Sequence, residues 1–195
     1  CITSTRCSRC CCSACGCPGA ATVSQRPAPD AADGDRRRPR ILVIRRDNIG
    51  DLVCTLPLLR GLREAHPNAW IGVYANSYNA PVLDRNPDVD ARYVYVKRKH
   101  RGGVGMARLA FERLRMIRDL RARRLDDVVL ATPGYLPRTV QLARWLRPRR
   151  VVGFAPDEHT AGIDVRIPLA RGEGLHEVER VFLLGAAFGD RKAHV

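Results

Sequence analysis

At 195 residues the chain is long enough to bury one domain with a small extension. It is 45% hydrophobic and 28% charged, which excludes a wholly disordered chain, and no run of eighteen apolar residues exists, which excludes a membrane-spanning helix. Its 34 Lys and Arg oppose 20 Asp and Glu, and the formal charge of +14 favours anionic partners: nucleic acid, an acidic membrane surface or phosphorylated small molecules.

Residues 1–39 are rich in Pro, Ala, Gly and Asp, lack any hydrophobic period of 2 or 3.6, and are expected to be a disordered extension. The first residue is Cys1 and not Met, which reads as a fragment or a misplaced start. Seven of the eight cysteines lie within the first seventeen residues, whereas a secreted disulfide scaffold spreads its cysteines through the fold. Cys7-x-x-Cys10 and Cys12-x-x-Cys15 have zinc-ligand spacing, yet no second Cys/His pair follows at finger distance. No apolar signal-peptide core accompanies them, so the expected location is a reducing cytoplasm.

From residue 40 strands and helices alternate. "RILVI" (40–44) is a buried strand, and "DLVCTLPLLRGLREAH" (51–66) a helix with Leu52, Leu56, Leu59 and Leu62 on one face. A second strand at 69–75, a short helix within 78–87 and a third strand at 91–96 follow. The long segment 104–125 reads as a helix burying Leu109, Leu114, Ile117 and Leu120. A fourth strand (126–132), a helix (136–146), a fifth strand (150–154) and a closing helix (174–190) complete the order. This alternation predicts an α/β fold, a parallel sheet with helices on both faces, whose ligands bind beyond the carboxyl ends of the strands.

The first strand-to-helix turn falls there: Arg45-Arg46-Asp47-Asn48-Ile49-Gly50-Asp51. It lacks the Gly-x-x-x-x-Gly-Lys spacing of a P-loop and the three glycines of a dinucleotide fingerprint; a lone Gly50 indicates only a tight turn or close backbone approach. Two readings stand. Asp47 or Asn48 caps the helix and Asp51 sits in its first turn, where the macrodipole favours a carboxylate. Alternatively, Asp51 is a general base toward a sugar hydroxyl, with Arg45 and Arg46 holding an anionic acceptor and Asp51 as the only nearby proton acceptor.

The stretch "ILVIRRDNIGDLVCTLPLLRGLREAHPNAWIGVYA" resembles the opening of the glycosyltransferase family 9 heptosyltransferases. The shared pattern is a hydrophobic strand, a basic residue (Arg45), a short polar turn, Gly50-Asp51 and a Thr55-Leu56-Pro57-Leu58 helix. "NPDVD" (86–90), "RVVGF" (150–154) and "HEVERVFLLGAAFG" (176–189) agree, so the resemblance covers about residues 40 to 190. It implies the acceptor-binding, Rossmann-like amino-terminal domain of a two-domain GT-B enzyme that moves heptose from ADP-heptose to the lipopolysaccharide inner core. Inversion without a metal, Asp51 as base, and Arg45, Arg46, Asp47, Asn48 and Gly50 bordering acceptor and donor sugar are likewise implied. The chain departs from that pattern after Asp190, where only "RKAHV" follows. The expectation is that the donor-binding half is missing and that this chain alone neither holds ADP-heptose tightly nor turns over.

Residues 97–124 hold eleven Lys or Arg against Glu112 and Asp119. Lys97, Lys99 and Arg101 follow the third strand, at the ligand-bearing edge, and are candidates to hold phosphates and acidic sugars of a lipid A–core acceptor or an anionic inner leaflet. Arg138, after the fourth strand, is a further candidate at that edge. Phe111 is the segment's one aromatic and no nucleic-acid motif is present, so no nucleic acid is expected, although an Arg-rich helix able to track phosphates remains a rival reading. A non-catalytic module binding an anionic ligand is the other rival. The five His are scattered without metal-ligand spacing, and neither metal nor cofactor is expected.

Overall fold

The computed structural model describes residues 38–95 and 106–189. The expectations for residues 1–37, for Lys97, Lys99 and Arg101, and for the tail from 191 lie outside these residues.

Six strands form one sheet: β1 (Arg40–Ile44), β2 (Trp70–Asn76), β3 (Ala91–Tyr95), β4 (Asp127–Leu130), β5 (Arg150–Ala155) and β6 (Val165–Pro168). Every pairing is parallel and the order is β3-β2-β1-β4-β5-β6. The order reverses at β1, whose Val43 stands opposite Val73 of β2 and Val129 of β4. The crevice between the carboxyl ends of β1 and β4 is therefore the topological switch point.

The continuous apolar run of β1 is explained by burial on both sides. Side chains alternate across the sheet, so Ile41 and Val43 enter one core while Leu42 and Ile44 enter the other. The first core is covered by α1 (Ile49–Val53), α2 (Leu56–Ala65) and α5 (Glu177–Phe182), through Leu52, Leu58, Leu59, Leu62 and Val181. The second lies under α3 (Met106–Ala122) and α4 (Pro137–Trp145), through Ile117, Leu120, Val140 and Leu142.

Several sequence expectations are corrected. The helix expected over 51–66 is two helices with a break at Cys54 and Thr55. Pro57 is the cause: it has no N–H to donate, and its ring would strike the carbonyl four residues back. Thr55 fills the break, buried, with Oγ1 donating to the Asp51 carbonyl at 2.8 Å. The short helix within 78–87 is one 3-10 turn, Ala80–Leu83. Leu114 lies on the solvent side of α3. The closing helix runs only from Glu177 to Phe182, tightens to a 3-10 turn over Leu183–Phe188, and ends at Gly189 in the left-handed region with φ 74°. Strand β6 was not expected. It is a four-residue edge strand ending in Pro168, whose buried Ile167 and half-buried Val165 face the first core, an alternation of only two apolar residues.

Candidate functional site

Arg45 is the first residue beyond β1, and its backbone N–H donates to the Tyr74 carbonyl at 3.0 Å, continuing the pairing with β2. Its side chain is wholly buried at the switch point. A cation withdrawn from water must be paired, and the partners converge from three parts of the chain. Nη1 donates to the carbonyl of Ala131, at the end of β4. Nη2 donates to Oε1 of Glu177 at 2.7 Å and lies 3.3 Å from Oδ1 of Asp51. Nε lies 3.4 Å from Oδ2 of Asp47. Three carboxylates thus surround one buried guanidinium.

The turn that carries Asp47 and Asp51 is shaped from both sides. Asn48 has the extended backbone of a helix cap (φ −87°, ψ 176°), and Oδ2 of Asp51 accepts its N–H at 2.9 Å. Beneath the turn, buried Asn76 and Asn79 form a reciprocal pair, each side-chain oxygen accepting the other's backbone N–H at 2.9 Å. Asn76 Nδ2 then donates to the carbonyls of Arg46 and Asp47, at 2.9 and 2.6 Å. Arg46 lies over the Tyr95 ring, 4.7 Å from its centroid, and Tyr95 stacks on Tyr74 at 5.3 Å. Burial pushes the Tyr74 hydroxyl up to about 12, against the opposing pull of Arg46 and Arg113.

Of the residues singled out from sequence, Arg45, Arg46, Asp47, Asn48, Gly50 and Asp51 are brought together. Asn48 and Gly50 are exposed at the rim, and Asp51 keeps 32% of its side chain open. Gly50 sits inside α1 with open space around the position of a Cβ, so neither a tight turn nor a close backbone approach explains it. Arg138 stands exposed in the first turn of α4, outside the cluster. The expectation that Asp51 is the only nearby proton acceptor is corrected by Asp47 and Glu177 on the same guanidinium. The cap reading and the base reading meet in one residue. Asp51 closes the start of α1, yet a carboxylate has about four lone-pair positions, and these contacts leave it capacity to accept from a ligand hydroxyl.

Glu177, Asn76 and Asn79 were missed. An acid in the first turn of the last helix belongs at the carboxyl edge of a parallel sheet, which was a usable signal for Glu177. Nothing local marked the two asparagines as a clamp.

No protein-family model matches the chain. Over 87 residues it is 28% identical to lipopolysaccharide heptosyltransferase 3 of Escherichia coli, a match covering 45% of this chain and 24% of that protein. The fold superposes on a glycosyl transferase family 9 structure from Veillonella parvula DSM 2008 with a TM-score of 0.63 at 21% identity, over 80% of this chain and 43% of that one. It superposes equally on E. coli heptosyltransferase WaaC with ADP-2-deoxy-2-fluoro heptose, TM-score 0.62 at 23% identity, over 80% of this chain and 50% of that one. The chain carries a heptosyltransferase-like α/β domain. It spans half or less of the length of these relatives.

Proposed function

We propose that this heptosyltransferase-like domain is the acceptor-binding, amino-terminal part of a glycosyltransferase that moves heptose from ADP-heptose to the inner core of lipopolysaccharide. The observation that carries the reading is Asp51: a part-exposed carboxylate at the switch point, held by Arg45 and Asn48, in a fold shared with family 9 structures. In the proposed reaction Asp51 takes the proton of the acceptor hydroxyl, whose oxygen attacks the anomeric carbon from the face opposite the leaving group. The bond from that carbon to the phosphate oxygen breaks, ADP departs, and the configuration inverts. The step needs no metal or cofactor, because the base acts on the hydroxyl directly.

The acceptor is proposed to be an anionic glycolipid, met at the cytoplasmic face of the inner membrane. Exposed Phe111 and Leu114 stand on α3 among exposed Arg113, Arg115 and Arg118, and Arg113 lies over the half-exposed Trp145 ring. Such a mixed basic and apolar face suits acidic headgroups with acyl chains beneath them. Among the described residues no helix is long and apolar enough to cross a membrane. The reading is tested by titrating the chain into vesicles bearing lipid A–core. Binding that weakens with salt, and that is weaker to neutral phosphatidylcholine vesicles, is expected; equal binding to both would contradict it.

A further inference from the structure

Resting on the reading of Asp51 as the base, we propose that Glu177 is a positioning residue for it, acting through the buried Arg45. Glu177 and Asp51 meet the same nitrogen of Arg45 from elements far apart in sequence. Because Arg45 has no solvent contact, its guanidinium is placed entirely by protein groups. The group is planar and rigid, so contacts that fix Nη1 and one N–H of Nη2 also fix where the other N–H of Nη2 points. The Ala131 carbonyl holds Nη1 and Glu177 holds Nη2, and the direction that remains for Asp51 follows from those two contacts.

Glu177 is itself held. His176 Nδ1 accepts the Val178 N–H at 3.3 Å, and Glu179 accepts the His176 N–H at 3.0 Å, closing the start of α5. Arg180 lies 3.9 Å from the second oxygen of Glu177 and donates through Nε to the Gly172 carbonyl at 3.1 Å. Val181, in the next turn, is wholly buried against the first core. Glu177 therefore transmits the packing of the last helix to the first turn of the fold. The 2.7 Å contact is shorter than the 3.3 Å contact, as expected if Glu177 sets the guanidinium and Asp51 follows it.

The direct readout is the χ1 rotamer of Asp51, measured by three-bond couplings in isotope-labelled chain. Wild-type couplings should report one rotamer, and Glu177→Gln, which keeps size but removes charge, should give averaged couplings at Asp51 while those of Asp164 stay unchanged. Should Glu177→Gln fail to fold, Glu177→Asp, which keeps the charge but draws it back, is read in its place. A single unchanged Asp51 rotamer in either folded variant would overturn the proposal. Failure of both to fold would overturn it too, by assigning Glu177 to the fold. In the protein that carries this domain, Glu177→Gln should lower kcat at least about tenfold with KM unchanged. Lost rotamer order beside normal heptose transfer by Asp51→Asn would end the base reading and leave the positioning intact.

Discussion

Arg45 reaches Glu177 across 132 residues of sequence, nitrogen to oxygen at 2.7 Å. The contact joins the first turn of the fold to its last helix at the point where the strand order reverses. The carboxylates of Asp47 and Asp51 lie against the same buried cation, so the turn and the closing helix depend on one side chain.

Replacing that cation by an apolar side chain leaves three carboxylates facing each other. Arg45→Met is expected to destabilise the domain by about 3–5 kcal/mol, the usual cost of removing one partner from a buried ionic cluster. Urea unfolding followed by circular dichroism measures this, and Arg45→Lys, which keeps the charge without the fork, should lose less.

The asparagine pair is expected to hold the turn more than the fold. Asn76→Ala removes the short bonds to the Arg46 and Asp47 carbonyls and leaves them only the longer ones from Tyr95 Oη (3.4 Å) and Asn79 Nδ2 (3.3 Å), at a cost of about 1 kcal/mol. Hydrogen exchange should show the amides of residues 46–51 opening faster, while those of β4 and β5 stay protected.

Gly50 offers a test in which stability and activity separate. A methyl there meets nothing within 4 Å, and alanine is the better helix former, so Gly50→Ala should stabilise by about 0.5 kcal/mol. If the open space beside Asp51 receives the acceptor, the same change should raise its KM several-fold. Thermal melts and steady-state kinetics on one preparation decide both halves.

Stability should also fall in strong alkali. The Tyr74 hydroxyl titrates near 12 in the fold because it is buried, against about 10 in an unfolded chain, so the folded state holds its proton longer. That contribution is fully present below pH 10 and is lost as pH rises toward 12; its size is on the order of 2 kcal/mol. Burial raises Tyr93 in the same direction. Urea midpoints collected between pH 9 and 12 should fall less steeply in Tyr74→Phe than in wild type.

How much of this could be read beforehand follows the range of the forces involved. The apolar run at 41–44 and the 3.6 period of Leu52, Leu59 and Leu62 are local, and they placed β1 and the helical face packed beside it. Pro57 also acts locally, yet the hydrophobic period ran across it and hid the break between α1 and α2. Edge strand β6 turns only Val165 and Ile167 to the core, an alternation too short to stand out as a strand. The Arg45 cluster was legible only in its first half, because residues 45–51 are contiguous. Glu177 joins through a contact that depends on sheet order, and Asn76 and Asn79 act on backbone carbonyls that any sequence would present.

Heptose transfer by Asp51→Asn, in the protein that carries this domain, decides whether the turn is a site or only a helix cap. The amide keeps the size of the side chain and an oxygen for the Asn48 N–H, but it cannot take a proton. A fall in kcat of about 10²–10⁴-fold with acceptor affinity retained is the expected result. Transfer at close to the wild-type rate would contradict the role given to Asp51.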